Sequence, residues 1–307
     1  MTPRIKIFVI ALAAAMLFGW GVNIFQKNLE NYFTSQISQP LQGLSFVKIP
    51  PPKPKLELRA KAAISVKIDN GGKEKVLFKK DDEQLLPIAS LTKLMTALIV
   101  LENENYDLKN TGITISKNAA NQINVPNYGN LNPGEKLNIE QLLDLMLVYS
   151  SNDAAWALSE LIGTENFVKK MNQKAEELGL ENTYFVNPTG LDPENFYYHP
   201  PTRIYFNYST ARDLLELTRY ILKNQPLIFE IALKKGPYPV ENGFSDLILP
   251  KNQTAIGWKT GYTDEAGGCA ILVLREENKI IINVILGTES QEARIREMQK
   301  LINWLNS

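Results

Sequence analysis

Residues 87–101 read PIASLTKLMTALIVL, a polar Ser-x-x-Lys at the start of an almost wholly apolar run. Pro87 disfavours helix before it, and Ser90 is a residue type that is common at helix starts, so we expect a helix that begins at Ser90. The run has no wide polar face, which indicates a helix enclosed by protein on most sides. The stretch therefore predicts a buried central helix against which the rest of the fold packs.

Ser90 and Lys93 are three positions apart and share one face of such a helix. Burial disfavours the ammonium form of a lysine, and a neutral amine beside a serine hydroxyl can act as the base for a nucleophile. The plainer interpretation is a capping serine followed by an exposed lysine. Residues 45–48 repeat the Ser-x-x-Lys pattern, but prolines surround them and no apolar run follows, so we interpret that copy as linker.

Composition excludes several classes of protein. The 307 residues carry 33 basic and 33 acidic side chains without a long like-charged block, so nothing indicates nucleic-acid binding. The chain has one histidine, His199, and one cysteine, Cys269, too few for a usual zinc site. A lysine base would need neither histidine nor cysteine, so it is compatible with this composition. No cofactor or metal is expected.

The N-terminal region predicts attachment to a membrane. Residues 1–6 read as a cytoplasmic stub, residues 7–25 as an uncharged transmembrane anchor, and residues 26–56 as a proline-rich extracytoplasmic stalk. A cleavable signal peptide, with secretion of the rest, is the alternative. Residues 57–307 would form the folded domain on the outer side of the membrane.

Within that domain the hydrophobic period changes twice. Residues 62–69 and 75–79 predict an antiparallel hairpin around Asn70-Gly71, and residues 112–115 a short strand. Helical periods dominate a lobe at about 116–232, strands return at 255–258, 268–275 and 279–286, and a helix closes the chain at 291–305. The pattern predicts an α+β fold, an antiparallel sheet flanked by helices with an inserted all-helical lobe.

Two further polar motifs follow in the chain. Ser150-Ser151-Asn152 lies between two predicted helices, and Lys259-Thr260-Gly261-Tyr262 closes a predicted strand. Taken singly, they read as a helix cap and a strand end with a turn glycine. The order Ser-x-x-Lys, Ser-x-Asn, Lys-Thr-Gly resembles penicillin-binding proteins, specifically the low-molecular-mass D-alanyl-D-alanine carboxypeptidases. Residues 187–191 and 208–213 resemble that family as well, which implies a beta-lactamase/transpeptidase-like fold.

By this resemblance, Ser90 is the acylated nucleophile and Lys93 its base. Ser150 and Asn152 line the cleft and help to move the proton. The backbone N–H groups of Ser90 and Tyr262 would form the oxyanion hole. The resemblance implies a peptidoglycan stem peptide ending in D-Ala-D-Ala as substrate and beta-lactam antibiotics as covalent inhibitors.

The substrate's terminal carboxylate is assigned by resemblance to Thr260, with Lys259 supplying positive charge, Gly261 allowing close approach, and Arg294 near the carboxylate. We expect Lys259 to be a cation and Lys93 to be neutral. Residues 193–207 depart from the family pattern as an insertion that contains His199, which we interpret as a surface aromatic.

Three other functions are compatible with parts of this sequence. A class A beta-lactamase would need a second base, and no Glu-x-x-x-Asn occurs between Ser151 and Pro200, so slow release of penicillin is expected. A peptidoglycan DD-endopeptidase of the same fold carries the same motifs. A catalytically silent wall-binding module would be expected to have lost Ser90, Lys93 or Lys259.

Overall fold

The computed structural model describes residues 3–37, 53–122, 129–192, 206–234 and 247–307. The chain divides into two compact units, Met1–Pro54 and Lys55–Ser307. In the first unit α1 runs from Pro3 to Ile37. Among the described residues, no helix combines the length and the apolar character needed to cross a membrane. The transmembrane helix predicted at residues 7–25 is therefore not supported.

A five-stranded antiparallel sheet forms the centre of the second unit. Its strands are β1 (Ala62–Ile68), β2 (Glu74–Lys80), β7 (Gln253–Thr263), β8 (Gly267–Glu276) and β9 (Lys279–Thr288), in the order β2-β1-β9-β8-β7. The N- and C-terminal parts of this unit therefore share one sheet. The long strand β7 is an edge strand and pairs within this sheet only with β8.

Both faces of the sheet are covered, which explains why β8 and β9 are apolar at consecutive positions. Ala270, Leu272 and Leu274 of β8 point into a core that includes residues of α8 (Gln291–Leu305), whereas Ile271 and Val273 point into the larger core on the other face. Successive side chains of a strand alternate between faces, so each strand contributes to both cores.

The larger core lies between the sheet and a group of helices. These are α2 (Lys93–Leu101), α3 (Ile139–Val148), α4 (Asn152–Ser159), α5 (Thr164–Glu177), α6 (Ala211–Asn224) and α7 (Leu227–Ala232). Two small antiparallel pairs join β3 (Leu86–Pro87) to β6 (Tyr208–Ser209) and β4 (Gly112–Thr114) to β5 (Lys136–Asn138).

The predicted buried helix is present, with a different start. Residues Ala89–Thr92 form a 3₁₀ turn and the α-helix begins at Lys93, so Ser90 lies in the turn and makes no side-chain cap. Ala89 has a φ of 46°, an uncommon backbone conformation for a residue with a Cβ. The approach of the chain into this turn, and not capping by Ser90, therefore sets where the helix begins.

Most of the remaining secondary-structure predictions agree with the structure. The hairpin, the strand near residue 112 and the closing helix are confirmed. Strand β7 extends to Thr263, beyond the predicted end at Trp258, and helix α7 was not predicted. Residues 45–48 and the stretch 193–205, with His199, lie outside the described residues. The mixed helical and antiparallel architecture agrees with the predicted α+β class.

Candidate active site

The Ser90–Lys93 turn brings a hydroxyl and an amine together at the centre of the domain. Lys93 Nζ lies 2.8 Å from Ser90 Oγ, 2.6 Å from Asn152 Oδ1 and 2.7 Å from the backbone oxygen of Thr189. The Lys93 residue is fully buried, with 0% of its surface exposed. The amine is therefore held by three partners at fixed positions.

The partners of Lys93 differ in what they can donate. The oxygens of Asn152 and Thr189 can only accept, whereas the Ser90 hydroxyl can also donate. A neutral amine has two N–H groups for the two carbonyl oxygens and keeps its lone pair for the hydroxyl. Burial first, and the positive charge of Lys259 second, hold the pKa of Lys93 well below its usual range. The geometry and the charge state both favour transfer of the Ser90 proton to Lys93.

Sequence reasoning did not find the Thr189 carbonyl. Residues 187–191 carry family resemblance, yet a backbone oxygen has no side-chain signal of its own. The loop is held to α2 at a second point, where Thr96 Oγ1 donates to the oxygen of Pro188 at 2.7 Å. Lys93 and Thr96 are three positions apart and share one face of the helix, so both can reach this loop.

Ser150 and Asn152 reach the same cleft from the junction of α3 and α4. Ser151 is the N-cap of α4 and accepts from the backbone N–H of Ala154 at 3.1 Å. The next residue, Asn152, begins the helix and contacts Lys93. Ser150 has a φ of 61°, which turns the chain sharply between the two helices. Non-glycine residues held in this region cluster at functional sites.

Lys259 lies in the interior of β7, and not at a strand end as predicted. Its Nζ donates to Ser150 Oγ at 2.9 Å and to the oxygen of Thr260 at 3.1 Å. The residue is 2% exposed. Burial, with a smaller effect of the positive charge of Arg294, lowers the pKa of Lys259 to about 7. Burial of Lys259 therefore disfavours the cationic form that the sequence led us to expect.

Gly261 allows β7 to lie directly against the Ser90 turn. A Cβ added at Gly261 would come 2.9 Å from the Ser90 nitrogen, closer than real Cβ contacts allow, and 3.1 Å from the Ile88 oxygen, which is tighter than most real contacts. On either side of it, Thr260 is buried and Tyr262 is exposed. Glycine at this position therefore places the strand backbone beside the 3₁₀ turn that carries Ser90.

Arg294, in the first turn of α8, approaches the same strand from the side. Its Nη1 donates to the oxygen of Gly261 at 2.9 Å, and the residue is 4% exposed. Burial lowers the pKa of Arg294 to about 10. The sequence placed this arginine near the substrate's carboxylate. The structure places its guanidinium on the backbone of the Lys-Thr-Gly motif.

Comparison with known proteins finds a D-alanyl-D-alanine carboxypeptidase and a D-alanyl-D-alanine endopeptidase among the proteins similar to this chain. Residues 48–290 match the family model Peptidase_S11, D-alanyl-D-alanine carboxypeptidase. The chain is 32% identical to D-alanyl-D-alanine carboxypeptidase DacF of Bacillus subtilis, over 80% of this chain and 61% of that protein. It is 30% identical to a D-alanyl-D-alanine endopeptidase of Pseudomonas aeruginosa, over 84% of this chain and 82% of that protein. The chain thus spans less than two thirds of the length of the Bacillus relative.

The fold also matches solved structures. Penicillin-binding protein D2 of Listeria monocytogenes, in its cefotaxime-bound form, superposes with a TM-score of 0.67 at 28% identity, covering 83% of this chain and 100% of that one. This similarity confirms the predicted beta-lactamase/transpeptidase-like fold. With most of its length matched by the family model, the chain belongs to the D-alanyl-D-alanine carboxypeptidase family, Peptidase_S11.

Proposed function

We propose that this protein is a serine-type D-Ala-D-Ala carboxypeptidase that removes the terminal D-alanine of peptidoglycan stem peptides through an acyl-enzyme on Ser90. One observation carries the proposal: a buried Lys93 amine lies 2.8 Å from Ser90 Oγ with its other two contacts on carbonyl oxygens. An amine so held has its lone pair on the hydroxyl, which is the arrangement of a base and its nucleophile.

In the acylation step, Ser90 Oγ attacks the carbonyl carbon of the penultimate D-alanine while its proton moves to Lys93 Nζ. The carbonyl oxygen becomes an oxyanion, which the backbone N–H groups of Ser90 and Tyr262 stabilise. Collapse of this intermediate breaks the C–N bond. The proton held by Lys93 passes to the leaving amine by way of Ser150, whose hydroxyl contacts Lys259, so D-alanine departs and Lys93 is neutral again.

Water then hydrolyses the ester, with Lys93 again the base, and this returns Ser90 to its free form. In the substrate complex that precedes acylation, the terminal carboxylate would lie beside β7 and accept a hydrogen bond from the Thr260 hydroxyl. A bound carboxylate stabilises the ammonium form of Lys259, whose pKa in the free site is about 7. Substrate binding would therefore draw a proton onto Lys259, with Arg294 supporting the strand through Gly261.

Beta-lactam antibiotics are proposed as covalent inhibitors by the same chemistry. Attack by Ser90 opens the strained ring, and the leaving nitrogen stays tethered to the acyl group. The cefotaxime-bound Listeria protein shows that a relative of this fold binds such a compound. Because no Glu-x-x-x-Asn of the class A type occurs between Ser151 and Pro200, we expect the acyl-enzyme to be released slowly.

A decisive test is acylation of the purified full-length chain by a labelled penicillin, with the adduct mapped by mass spectrometry. We expect one adduct on Ser90, absent from Ser90→Ala. Ser159→Ala, which removes a buried hydroxyl within α4, is the matched control and should label like the parent. An adduct on another serine, or none on the parent, would reject the proposal.

A DD-endopeptidase activity is the second candidate, because the Pseudomonas relative of that name is matched over most of its length. The two activities differ in the group that leaves, a free D-alanine or the side-chain amine of a second stem peptide. We therefore propose to offer the protein a D-Ala-D-Ala stem peptide and, separately, a cross-linked dimer. Release of D-alanine from the first with an intact dimer supports the carboxypeptidase, and cleavage of the dimer alone supports the endopeptidase.

We also propose that the domain acts outside the cytoplasm, where its substrate would be. The sequence of residues 1–56 supports export, either with retention of the N-terminus or with its cleavage. Fractionation of cells, combined with sequencing of the mature N-terminus, distinguishes the two. Recovery of the protein in the cytoplasm would contradict the proposed location.

A further inference from the structure

We propose that Asn207 is a positioning residue for the reaction, which joins the loop 187–191 to the Ser90 turn so that the Thr189 carbonyl orients the Lys93 amine. This inference rests on the proposed function, in which Lys93 is the base. Asn207 lies 114 positions after Lys93 in the sequence, and none of the three motifs includes it. Only the fold brings it to this place.

The Asn207 side chain uses its full hydrogen-bonding capacity. Its Nδ2 donates to Thr92 Oγ1 and to the backbone oxygen of Asn187, both at 2.9 Å. Its Oδ1 accepts from the N–H of Val186 at 2.7 Å and of Asn187 at 3.1 Å. The neighbouring donors face Asn207 Oδ1 and the neighbouring acceptors face Asn207 Nδ2, so these neighbours fix the orientation of the side-chain amide. The residue is 3% exposed, which makes each of these contacts costly to lose.

These contacts connect the two halves of the base site. Thr92 immediately precedes Lys93 in the turn, and the backbone N–H of Ile88, just before that turn, donates to the oxygen of Asn207 at 3.2 Å. Asn187 begins the loop that carries Thr189. Asn207 therefore contacts the chain on both sides of Ser90 and also the loop opposite, and it sets the distance between them.

Asn187 completes the arrangement within the loop. Its Oδ1 accepts from the N–H groups of Thr189 at 3.0 Å and Gly190 at 2.7 Å, and from Thr189 Oγ1 at 2.8 Å. This local turn directs the Thr189 N–H inward, while the Thr189 carbonyl meets Lys93. Gly190 fits here because its φ is 87° and an added Cβ would come 2.0 Å from the Ala89 oxygen. The loop can therefore approach the nucleophile turn closely enough to contact the amine.

The physical consequence concerns orientation. With Asn152 and Thr189 each accepting one N–H, rotation about the Lys93 Cε–Nζ bond is fixed and the lone pair meets Ser90 Oγ. If the loop moves away, one N–H loses its acceptor, and the lone pair is no longer held towards the hydroxyl. Displacements of about 1 Å in a reacting group can cost about 100-fold in rate.

The test separates the acylation rate constant from penicillin affinity in the full-length protein. For Asn207→Ala we expect the rate constant to fall by about 100-fold, with affinity within about threefold of the parent. Thr92→Val has nearly the same shape but removes one acceptor of Asn207, so we expect its acylation rate constant to be about tenfold lower than that of the parent. Thr92→Ser keeps the hydroxyl, and we expect it to acylate at the parental rate. Thr218→Val, which removes a buried hydroxyl bonded within α6, is the matched control.

Each outcome decides the inference. Because the defect is one of orientation, raising the pH should not restore either slow variant. Parental rate constants per folded molecule in both Thr92→Val and Asn207→Ala, or full recovery at high pH, would overturn it. If Asn207→Ala does not fold, the comparison of Thr92→Val with Thr92→Ser decides alone.

A failure of the proposed function has a different signature, namely that the parent forms no adduct at Ser90. The positioning role is then tested by NMR titration of the Lys93 amine. Loss of the Thr189 acceptor disfavours the ammonium form, so the pKa of Lys93 should fall further in Thr92→Val and stay parental in Thr218→Val. An unchanged pKa of Lys93 in Thr92→Val would contradict the inference.

Discussion

At the scale of single residues, the site depends on two buried lysines of like charge. Lys93 contacts Ser90, Lys259 contacts Ser150, and burial lowers the pKa of both amines. The positive charge of Lys259 also contributes to the lowered pKa of Lys93. Protonation of one lysine therefore opposes protonation of the other, and the pair should not be fully charged in the free site.

The roles of the two lysines can be separated by substitution with arginine, which keeps the charge and cannot act as a base in proteins. We expect Lys93→Arg to lose acylation by about 100- to 10,000-fold, because general-base catalysis contributes that much. Lys259→Arg should keep a measurable fraction, since a cation at this position still serves a bound carboxylate. Acylation rates with labelled penicillin measure both.

The matched control is Lys174→Arg, at a lysine that lies in an ion pair with Glu102 on the helical side of the domain. It should acylate like the parent. A Lys93→Arg variant that acylates nearly as fast as the parent would show that Lys93 is not the base, and Ser150 with Lys259 would become the better candidate.

Burial of Lys259 also predicts how stability depends on pH. The folded-state pKa of about 7 lies below the ordinary pKa of an unfolded lysine, so between these values the unfolded chain holds a proton that the folded one lacks. Stability rises with pH where the unfolded state binds more protons. The unfolding free energy should therefore increase from about pH 7 towards pH 10, by at most about 1.4 kcal/mol per pH unit for this group.

Urea unfolding at a series of pH values measures this effect. Lys259→Met should flatten the slope, because the titrating amine is gone, whereas Lys169→Met, at a side chain that is 64% exposed, should leave it unchanged. The lowered pKa of Lys93 acts in the same direction and will leave part of the slope in Lys259→Met. Equal slopes in the parent and Lys259→Met would contradict the prediction.

At the scale of elements, the important contact is between strand β7 and the 3₁₀ turn that carries Ser90. Gly261 brings the two backbones together, with an added Cβ 2.9 Å from the Ser90 nitrogen. A side chain there cannot be accommodated by a rotamer change, because the nearest atoms include backbone of the turn. The strand or the turn has to shift.

Gly261→Ala should therefore impair acylation more than folding. We expect the acylation rate constant to fall by about 100-fold, since the proposed oxyanion donors and the proposed nucleophile Ser90 separate. Gly112→Ala in β4 is the matched control, because an added Cβ there meets nothing within 4 Å. Thermal unfolding monitors the fold, and parental acylation by Gly261→Ala would show that this close approach is not needed.

At the scale of the molecule, the side chains and backbone groups described above for the site belong to residues 55–307, which form one compact unit. Strand β1 lies between β2 and β9, so the sheet includes both early and late parts of this unit. We predict that a fragment of residues 55–307 folds and acylates at the rate of the full chain. Cooperative unfolding and labelled-penicillin kinetics on both proteins measure this, and a fragment that folds but acylates slowly would assign residues 1–54 a part in the reaction.

The sequence by itself determined the parts that local pattern and short spacing encode. The apolar run after Lys93 predicted a buried helix, and the spacing of Ser90 and Lys93 placed their side chains on one face. The alternation in residues 62–79 and the periods after residue 139 predicted the hairpin and most helices. The three motifs, in their order, pointed to the family. The residues that make up each of these features lie close together in the sequence, so each feature can be recognised without knowing the fold.

Only the tertiary structure decided the contacts that join distant segments. It placed the Thr189 carbonyl on Lys93 and Asn207 between the loop and the turn. It also showed that Lys259 lies inside β7 with a pKa of about 7, where the sequence had suggested a cation at a strand end. The physical reason is that burial, backbone hydrogen bonding and pKa values depend on which groups surround an atom. Those surroundings are created when the chain folds, and no local pattern carries them.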